Sequence, residues 1–466
     1  MKVTLIGCGR VGLVSGACLA EIGHHVVCTD RDQSKIHTLN CGQTHFYERY
    51  LDELIQRGRH NHRLRFSSEA GEAVYHGEVV FICVNTPPLE SGDADLTALD
   101  HVAKLIAHHA RASQLVVEKS TVPVRTGQQL RRALSVYNRN PRVNFLVASN
   151  PEFLREGTAV GDFLHPNRIV VGVEEPQAEK MLRELYQPLQ ERNFDCPVHE
   201  RCPPADPCPF VVTSIESAEL IKHASNSFLA LKISYANALA DLCERVGADV
   251  EQVAYAMGLD PRIGPDFLRA GLGFGGFCLP KDIQAFIRLA EQAGMDFALL
   301  REAERINKQR IERILEKVRD ALWVLKDKQV GLLGLAFKAN TDDIRFAPSL
   351  DMIQRLLAEG ALVRAYDPQA MANTRAVYPS VQYAADPYEV ASGADAVLVV
   401  TDWDDFRTLD WERVYRVMNR PLIIDGRNLL DPIAMAELGF EYYSVGRPAL
   451  ERKAPRRETS PGSSRP

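Results

Sequence analysis

The chain has 466 residues, 25% of them charged and 45% hydrophobic, the balance of a soluble globular protein long enough for two or three domains. A formal net charge of −6 argues against a nucleic-acid binder, but local basic groups can still hold an anionic substrate. No apolar run approaches the length of a membrane span, so a membrane partner is not expected either.

The first predicted element is a buried strand over residues 2–6, followed by Gly7-Cys-Gly-Arg-Val-Gly12 and an apolar helix through Leu19 to Ile22. His25–Thr29 reads as the next strand and ends at Asp30. Gly7, Gly9 and Gly12 complete G-x-G-x-x-G in the strand–turn–helix–strand context of a dinucleotide site. The pyrophosphate would sit on the helix N-terminus, where free N–H groups and the dipole favour anions. Asp30, 23 residues after Gly7, stands where an acid bonds the adenosine ribose, which favours NAD over NADP. Arg31 beside it is a basic group able to accept a 2′-phosphate. A nucleotide-binding strand at the N-terminus leaves no room for a cleaved signal. With ten scattered cysteines, that predicts a reduced cytoplasmic protein without disulfides.

Further strands are predicted at Glu78–Val84, Leu115–Lys119, Asn144–Ala148 and Arg168–Val173, with helical stretches between several of them. This is the pattern of a parallel, doubly wound α/β sheet. A Pro-rich stretch at 197–209 ends the domain. It holds Cys196, Cys202 and Cys208 near His199, but lacks the close C-x₂₋₄-C pair of structural zinc. It is read as a surface loop, and the chain as carrying no metal site. Thr213-Ser-Ile-Glu216 is a capping box opening a helix unbroken by Gly or Pro to about Arg245, long enough to link two domains.

Residues 271–282 follow: Gly-Leu-Gly-Phe-Gly-Gly-Phe-Cys-Leu-Pro-Lys-Asp. Gly271, Gly273, Gly275 and Gly276 suit a backbone that a ligand approaches closely. Behind Cys278 come Lys281 and Asp282. A nearby cation favours the thiolate, and a carboxylate can orient water or move protons. The segment therefore suits covalent sulfur chemistry. A second α/β unit begins after about Asn307, with strands at Gln329–Leu335, Ala361–Tyr366, Ala396–Thr401 and Pro421–Asp425. From about Ala454 the chain is Pro/Ser/Arg-rich and reads as a disordered tail. The expected architecture is α/β, with two Rossmann-like doubly wound domains joined by a long central helix. The expected domains are 1–205, 206–306 (central helices and cysteine loop), 307–450 and the tail 451–466.

Taken together, these segments resemble the UDP-glucose 6-dehydrogenase family, among nucleotide-sugar dehydrogenases that include enzymes of GDP-mannose and UDP-N-acetylmannosamine. The motifs that carry the resemblance are the glycine fingerprint, Val84-Asn-Thr-Pro87, Glu118-Lys-Ser-Thr-Val-Pro123, Ser149-Asn-Pro-Glu-Phe-Leu-Arg-Glu-Gly157, Ala218-Glu-Leu-Ile-Lys222 with Asn226, the cysteine loop, Gly334-Leu-Ala-Phe-Lys-Ala-Asn-Thr-Asp-Asp343 and Asp425-Gly-Arg-Asn428. The resemblance implies two successive NAD-dependent oxidations of a sugar primary alcohol, taking UDP-glucose to UDP-glucuronate for polysaccharide synthesis. The second would run through a Cys278 thiohemiacetal and thioester. It implies Cys278 as nucleophile and Lys222 with Asn226, one helical turn apart, beside the reacting carbon. Glu152, Asp282 and Thr121 complete the implied catalytic set, and which carboxylate is the general base stays open. For NAD it points to Gly7, Gly9, Val11, Gly12, Asp30, Lys35, Thr86, Thr121, Glu156, Lys281 and Arg345. For the nucleotide sugar it points to Glu152, Phe153, Leu154, Arg155, Glu156, Lys222, Asn226, Phe267, Leu268, Arg269, Ala270, Gly271, Gly275 and Lys338. Arg262 matches an arginine that reaches the neighbouring subunit's sugar, which implies a homodimer or higher homo-oligomer.

Asn85, Asn167, Phe277 and residues 45–51 depart from the family pattern, and Phe277 lies nearest the chemistry. Two other function classes share parts of this layout. A β-hydroxyacid or 6-phosphogluconate-type dehydrogenase needs the lysine but no thiol. A non-catalytic nucleotide-sugar sensor need not keep Cys278, Lys222, Asn226 and Asp282.

Overall fold

A computed structural model describes residues 1–89, 92–199, 202 and 207–448. The tail predicted from Ala454 lies outside the described residues. The chain divides into two compact units: Met1–Phe228 with Cys278–Leu300, and Leu229–Phe277 with the residues from Arg301 onward.

In the first unit, β1 (Lys2–Ile6), β2 (His25–Thr29), β3 (Leu64–Ser67), β4 (Val79–Ile82), β5 (Gln114–Glu118), β6 (Phe145–Ser149), β7 (Ile169–Val173) and β8 (Phe210–Thr213) form one sheet in the order β3-β2-β1-β4-β5-β6-β7-β8. The order reverses between β1 and β4, and the crevice beyond the carboxyl ends of the strands at such a reversal is where open α/β sheets bind ligands. Both faces are covered. Along β4, Val79 and Phe81 enter one apolar cluster while Val80 and Ile82 enter another, as the two-residue side-chain period requires.

Three features differ from expectation. The sheet is not wholly parallel, because β6 and β7 run antiparallel. The helix between them, Ala159–Leu164, has six residues, about 9 Å, too short to carry the chain back along a five-residue strand of about 16 Å. Second, the Pro-rich stretch does not end this unit: the chain continues into β8, which pairs with β7 from Ile169↔Phe210 to Gly172↔Thr213. Third, β3 and β8 were not predicted. Both are edge strands of only four residues, too short for their side-chain period to stand out.

In the second unit, β9 (Gln329–Leu333), β10 (Leu362–Tyr366), β11 (Gln382–Tyr383), β12 (Ala396–Val399), β13 (Leu422–Asp425) and β14 (Glu441–Tyr443) are ordered β11-β10-β9-β12-β13-β14, every neighbouring pair parallel. Its opening turn repeats that of the first unit. The Gly7 N–H donates to Thr29 O and the Gly334 N–H to Tyr366 O, both at 2.8 Å. The Cys8 N–H reaches Asp30 Oδ2 at 2.8 Å, as the Leu335 N–H reaches Asp367 Oδ2 at 2.7 Å. The difference lies in the acid. Asp30 is half-buried, whereas Asp367 is fully buried and also accepts from Ala336 N and Trp403 Nε1, so the fold itself uses it up.

The predicted long helix runs from Ile215 to Val246, 32 residues, and the division between units falls within it. The cap falls one residue later than the Thr213 of the predicted capping box: Ser214 Oγ accepts from the Ser217 N–H at 3.2 Å. Glu216 does not complete the box; it accepts from Gln128 Nε2 instead. Cys278–Leu300, which opens with the helix Cys278–Gln292, packs with the first unit, where Gln292 Nε2 donates to Asp93 Oδ1 at 2.8 Å. No helix among the described residues is long and apolar enough to cross a membrane.

Candidate active site

The nucleotide loop follows β1. A Cβ on Gly12 would stand 1.9 Å from Gly7 O, so only glycine lets the helix Arg10–Glu21 pack this closely on the turn. A Cβ on Gly9 would meet nothing within 4 Å: this is open space above a helix N-terminus with no side-chain cap and no acid in its first turn. Backbone N–H groups facing open space at a positive dipole end fit a pyrophosphate. Asp30 and Lys35 lie half-buried beyond β2, and Val11 begins the helix. Farther along the crevice, Thr86 Oγ1 donates to Thr121 O at 2.6 Å. Thr86, Thr121, Lys281 and His223 line one cleft, so three residues implied for the cofactor come together. Glu156 pairs with Arg10 at 3.5 Å.

The thiol cluster is built from segments far apart in sequence. Lys222 and Asn226 lie one turn apart on the long helix, and both are buried. Lys222 Nζ sits 2.8 Å from Glu152 Oε1, and Asn226 Nδ2 donates to Asp282 Oδ2 at 2.6 Å. Glu152 also accepts the Leu154 N–H at 2.6 Å, which holds the loop after β6 around its carboxylate. Lys281 Nζ lies 3.1 Å from Asp282 Oδ1. Cys278 starts its helix and is half-buried. Burial pushes its thiol up to about 12, against the pull of Lys222, and Glu152, Asp282 and Glu156 raise it further. Lys281 is engaged with Asp282, Lys222 is the cation that acts on the sulfur, and burial outweighs it. Burial also works against the charge on Lys222, yet Glu152, Cys278 and Asp282 hold its pKa above the ordinary lysine value.

The other implied residues lie in or beside these segments or in the second unit. Phe153 stacks under Arg168, its ring centroid 3.8 Å from the guanidinium carbon, and Arg155 pairs with Asp162 at 2.6 Å. In the second unit, Arg345 pairs with Asp343 at 2.5 Å and lies over the Phe277 ring at 4.5 Å. Lys338 is near the ring of Phe337. Arg262 is 87% exposed and pairs with Asp260, Arg269 is exposed, and Phe267 has φ +64°. Leu268 and Ala270 are buried. A Cβ on Gly275 would lie 2.3 Å from Phe346 O and one on Gly271 2.8 Å from Gly426 O, so glycine at these positions lets the loop press against the protein's own backbone.

Several groups at the site carried no sequence signal of their own. Glu118, buried at the end of β5, has its carboxyl held well above the ordinary value by burial and by Glu219. Its neighbour Lys119 is pushed down by burial and donates to Asn150 Oδ1 at 3.0 Å. His223, kept neutral by burial, meets Val122 O through Nε2 at 2.7 Å. Glu48, in the stretch 45–51, accepts from the Gly157 and Ala159 N–H groups at 2.7 and 2.9 Å and anchors the far end of the Glu152–Glu156 loop. Only their place inside motifs hinted at the first three. In the Pro-rich stretch, Cys196, His199 and Cys202 gather with His165, while Cys208 stands apart against Pro209 O.

Comparison with known proteins gives three consecutive matches to the UDP-glucose/GDP-mannose dehydrogenase family: its NAD binding domain over residues 1–190, its central domain over 216–309 and its UDP binding domain over 331–432. The chain is 41% identical to UDP-glucose 6-dehydrogenase TuaD of Bacillus subtilis, over 99% of this chain and 96% of that one. It is 42% identical to UDP-glucose 6-dehydrogenase of Rhizobium meliloti, over 96% and 100%. A solved UDP-glucose dehydrogenase from Pyrobaculum islandicum aligns with TM-score 0.84 at 38% identity, covering 92% of this chain and 95% of that one. Because these matches run through both the glycine loop and the Cys278 cluster, the chain belongs to the UDP-glucose/GDP-mannose dehydrogenase family.

Proposed function

We propose that the protein oxidises the C6 primary alcohol of UDP-glucose twice, to UDP-glucuronate. NAD, the cofactor of its first domain, supplies the hydride acceptor for each oxidation. The observation that carries this reading is the half-buried Cys278 in a cluster with Lys222, Glu152, Asn226 and Asp282, in a chain 41% identical to a UDP-glucose 6-dehydrogenase. In the first oxidation, Lys222 and Asn226 offer an ammonium and an amide to the oxygen that loses its proton. In the second, Cys278 sulfur adds to the aldehyde carbon. Its proton passes to Glu152 or Asp282, and Lys222 stabilises the oxyanion of the thiohemiacetal. Loss of hydride leaves a thioester, and the same carboxylate pair orients the water that hydrolyses it. Holding the thiol protonated until substrate arrives keeps a reactive sulfur quiet in the resting enzyme.

Within this reading, Asp30 selects NAD+ over NADP+. Glu152–Glu156, Phe267–Gly271, Gly275 and Lys338 hold the nucleotide sugar, and Arg345 and Lys281 contact the cofactor. The active unit is a cytoplasmic homodimer or higher homo-oligomer to which Arg262 contributes in trans. The test is a panel of UDP-glucose, GDP-mannose and UDP-N-acetylmannosamine assayed for NADH. UDP-glucose should give the highest kcat/KM and two NADH per sugar. One NADH with aldehyde released would overturn the thioester route, and activity independent of Cys278 would move the protein toward the thiol-free dehydrogenases.

A further inference from the structure

The segment between the helix Pro176–Glu191 and β8 has no part in the reaction above, yet three of its metal-ligating side chains gather with a fourth, His165. His165, Cys196, His199 and Cys202 each present one ligand atom, and all four atoms lie within 4.8 Å of one another. His165 Nε2 is 3.1 Å from Cys196 Sγ and 3.8 Å from Cys202 Sγ, and Cys196 Sγ is 3.6 Å from His199 Nδ1. A tetrahedral zinc ion, with Zn–N about 2.0–2.1 Å and Zn–S about 2.3 Å, sets the edges between its ligands at about 3.3–3.8 Å. Two of the measured N···S separations, 3.6 and 3.8 Å, fall within that range, and the third, 3.1 Å, lies just below it. Two thiols and two imidazoles need not converge on one point to satisfy themselves as hydrogen-bonding groups, since each could turn to solvent or backbone instead. Here the two imidazole rings also meet edge-on at 4.9 Å, and both present a nitrogen to Cys196 Sγ.

The chain supports the geometry. In Cys196-Pro-Val-His-Glu-Arg-Cys202 the three local ligands recur every third residue, and Pro197 stiffens the first interval. The fourth ligand, His165, caps the helix Ala159–Leu164 at its C-terminus, and its ring packs on Phe194 at 5.8 Å. A search for paired cysteines overlooks this set, because the middle ligand is a histidine and the fourth lies 31 residues upstream of Cys196.

We propose that His165, Cys196, His199 and Cys202 form a structural Zn2+ site that staples the segment before β8 to the helix Ala159–Leu164. An S₂N₂ donor set selects zinc among the available divalent ions by ligand softness and tetrahedral geometry. Four protein ligands leave no open position, so the ion holds structure and activates no water. Binding is redox-neutral: Zn2+ replaces the two thiol protons, which go to solvent, and leaves two thiolates, two neutral imidazoles and a complex with no net charge.

The test uses the full chain without a histidine tag, purified with reductant and without chelator. Elemental analysis should find one zinc per chain in the wild type and in Cys208→Ser, and less than a tenth of that in Cys196→Ser/Cys202→Ser. Independently of any variant, stripped wild-type protein titrated with Co2+ should develop thiolate-to-cobalt charge transfer and the intense visible bands of tetrahedral cobalt, saturating at one equivalent and reversed by Zn2+. Loss of metal should expose residues 196–199 to proteolysis. Absence of a cobalt spectrum in reduced protein, zinc retained by the double variant, or a Cys196–Cys202 disulfide in protein kept under reductant would each overturn the assignment.

Discussion

At the scale of single residues, burial raises the thiol of Cys278, the proposed nucleophile. Cys278 carries a thiol near 12, so at pH 8 about one molecule in 10⁴ holds the thiolate. Iodoacetamide should therefore label Cys278 far more slowly than exposed Cys41, with a rate rising about tenfold per pH unit between pH 8 and 10. Peptide mass spectrometry over that range checks this, and rapid, pH-independent labelling would show a thiolate already formed. Replacing Lys222 by Met removes the one cation that favours the thiolate and should slow the labelling further. Cys278→Ser should keep NAD+ and UDP-glucose binding and lose at least about 10³-fold in kcat for the second oxidation, because a neutral hydroxyl is a poor nucleophile. Stopped-flow NADH traces on an aldehyde substrate measure it, and full turnover to UDP-glucuronate would remove Cys278 from the mechanism.

At the scale of elements, a buried acid ties the long helix to its neighbour. Glu219 accepts the Arg125 and Gly127 N–H groups at 2.6 and 2.7 Å, at the N-terminus of the helix Thr126–Tyr137. Burial, in competition with those bonds, raises its carboxyl from 4.5 to about 7. A carboxyl raised on folding binds its proton more tightly in the folded state. Its contribution is therefore fully present below pH 4.5 and is lost as pH climbs through 7, a change of about 3 kcal/mol. Wild type should thus lose stability relative to Glu219→Gln between pH 4.5 and 7.5 in urea unfolding, and a difference that stays flat across that window would refute the buried, raised carboxyl. The glycine-rich loop before Cys278 is also an element-scale device. Its missing Cβ atoms admit Phe346 O and Gly426 O, so the loop is held by packing within the second unit.

At the scale of the whole molecule, the proposed trans role of Arg262 predicts subunit complementation. Cys278→Ser and Arg262→Ala should each be inactive alone, while an equal mixture, unfolded and refolded together, should recover about a quarter of wild-type activity, since half the dimers then hold one intact site. No recovery, with mixed dimers verified by native mass spectrometry, would place Arg262 in cis. The sequence by itself determined the dinucleotide turn with its Gly7, Gly9, Gly12 and Asp30, the thiol at Cys278, and the Lys222–Asn226 face. These signals are short-range, written within one turn or one strand, where spacing alone puts residues on a common side. It also marked most central strands, because strands covered on both faces are continuous apolar runs, while the four edge strands, short and partly exposed, left no such trace. Only the tertiary structure decided what those groups meet: Glu152 on Lys222 across 70 residues, Asp282 on Asn226 across 56, and His165 on Cys196 across 31. It likewise decided that β6 and β7 run antiparallel and that Cys278 is half-buried, with its thiol raised by burial. Burial and charge pairing arise between segments that only folding brings together, and they, not residue type or spacing, set the protonation and partners of each group.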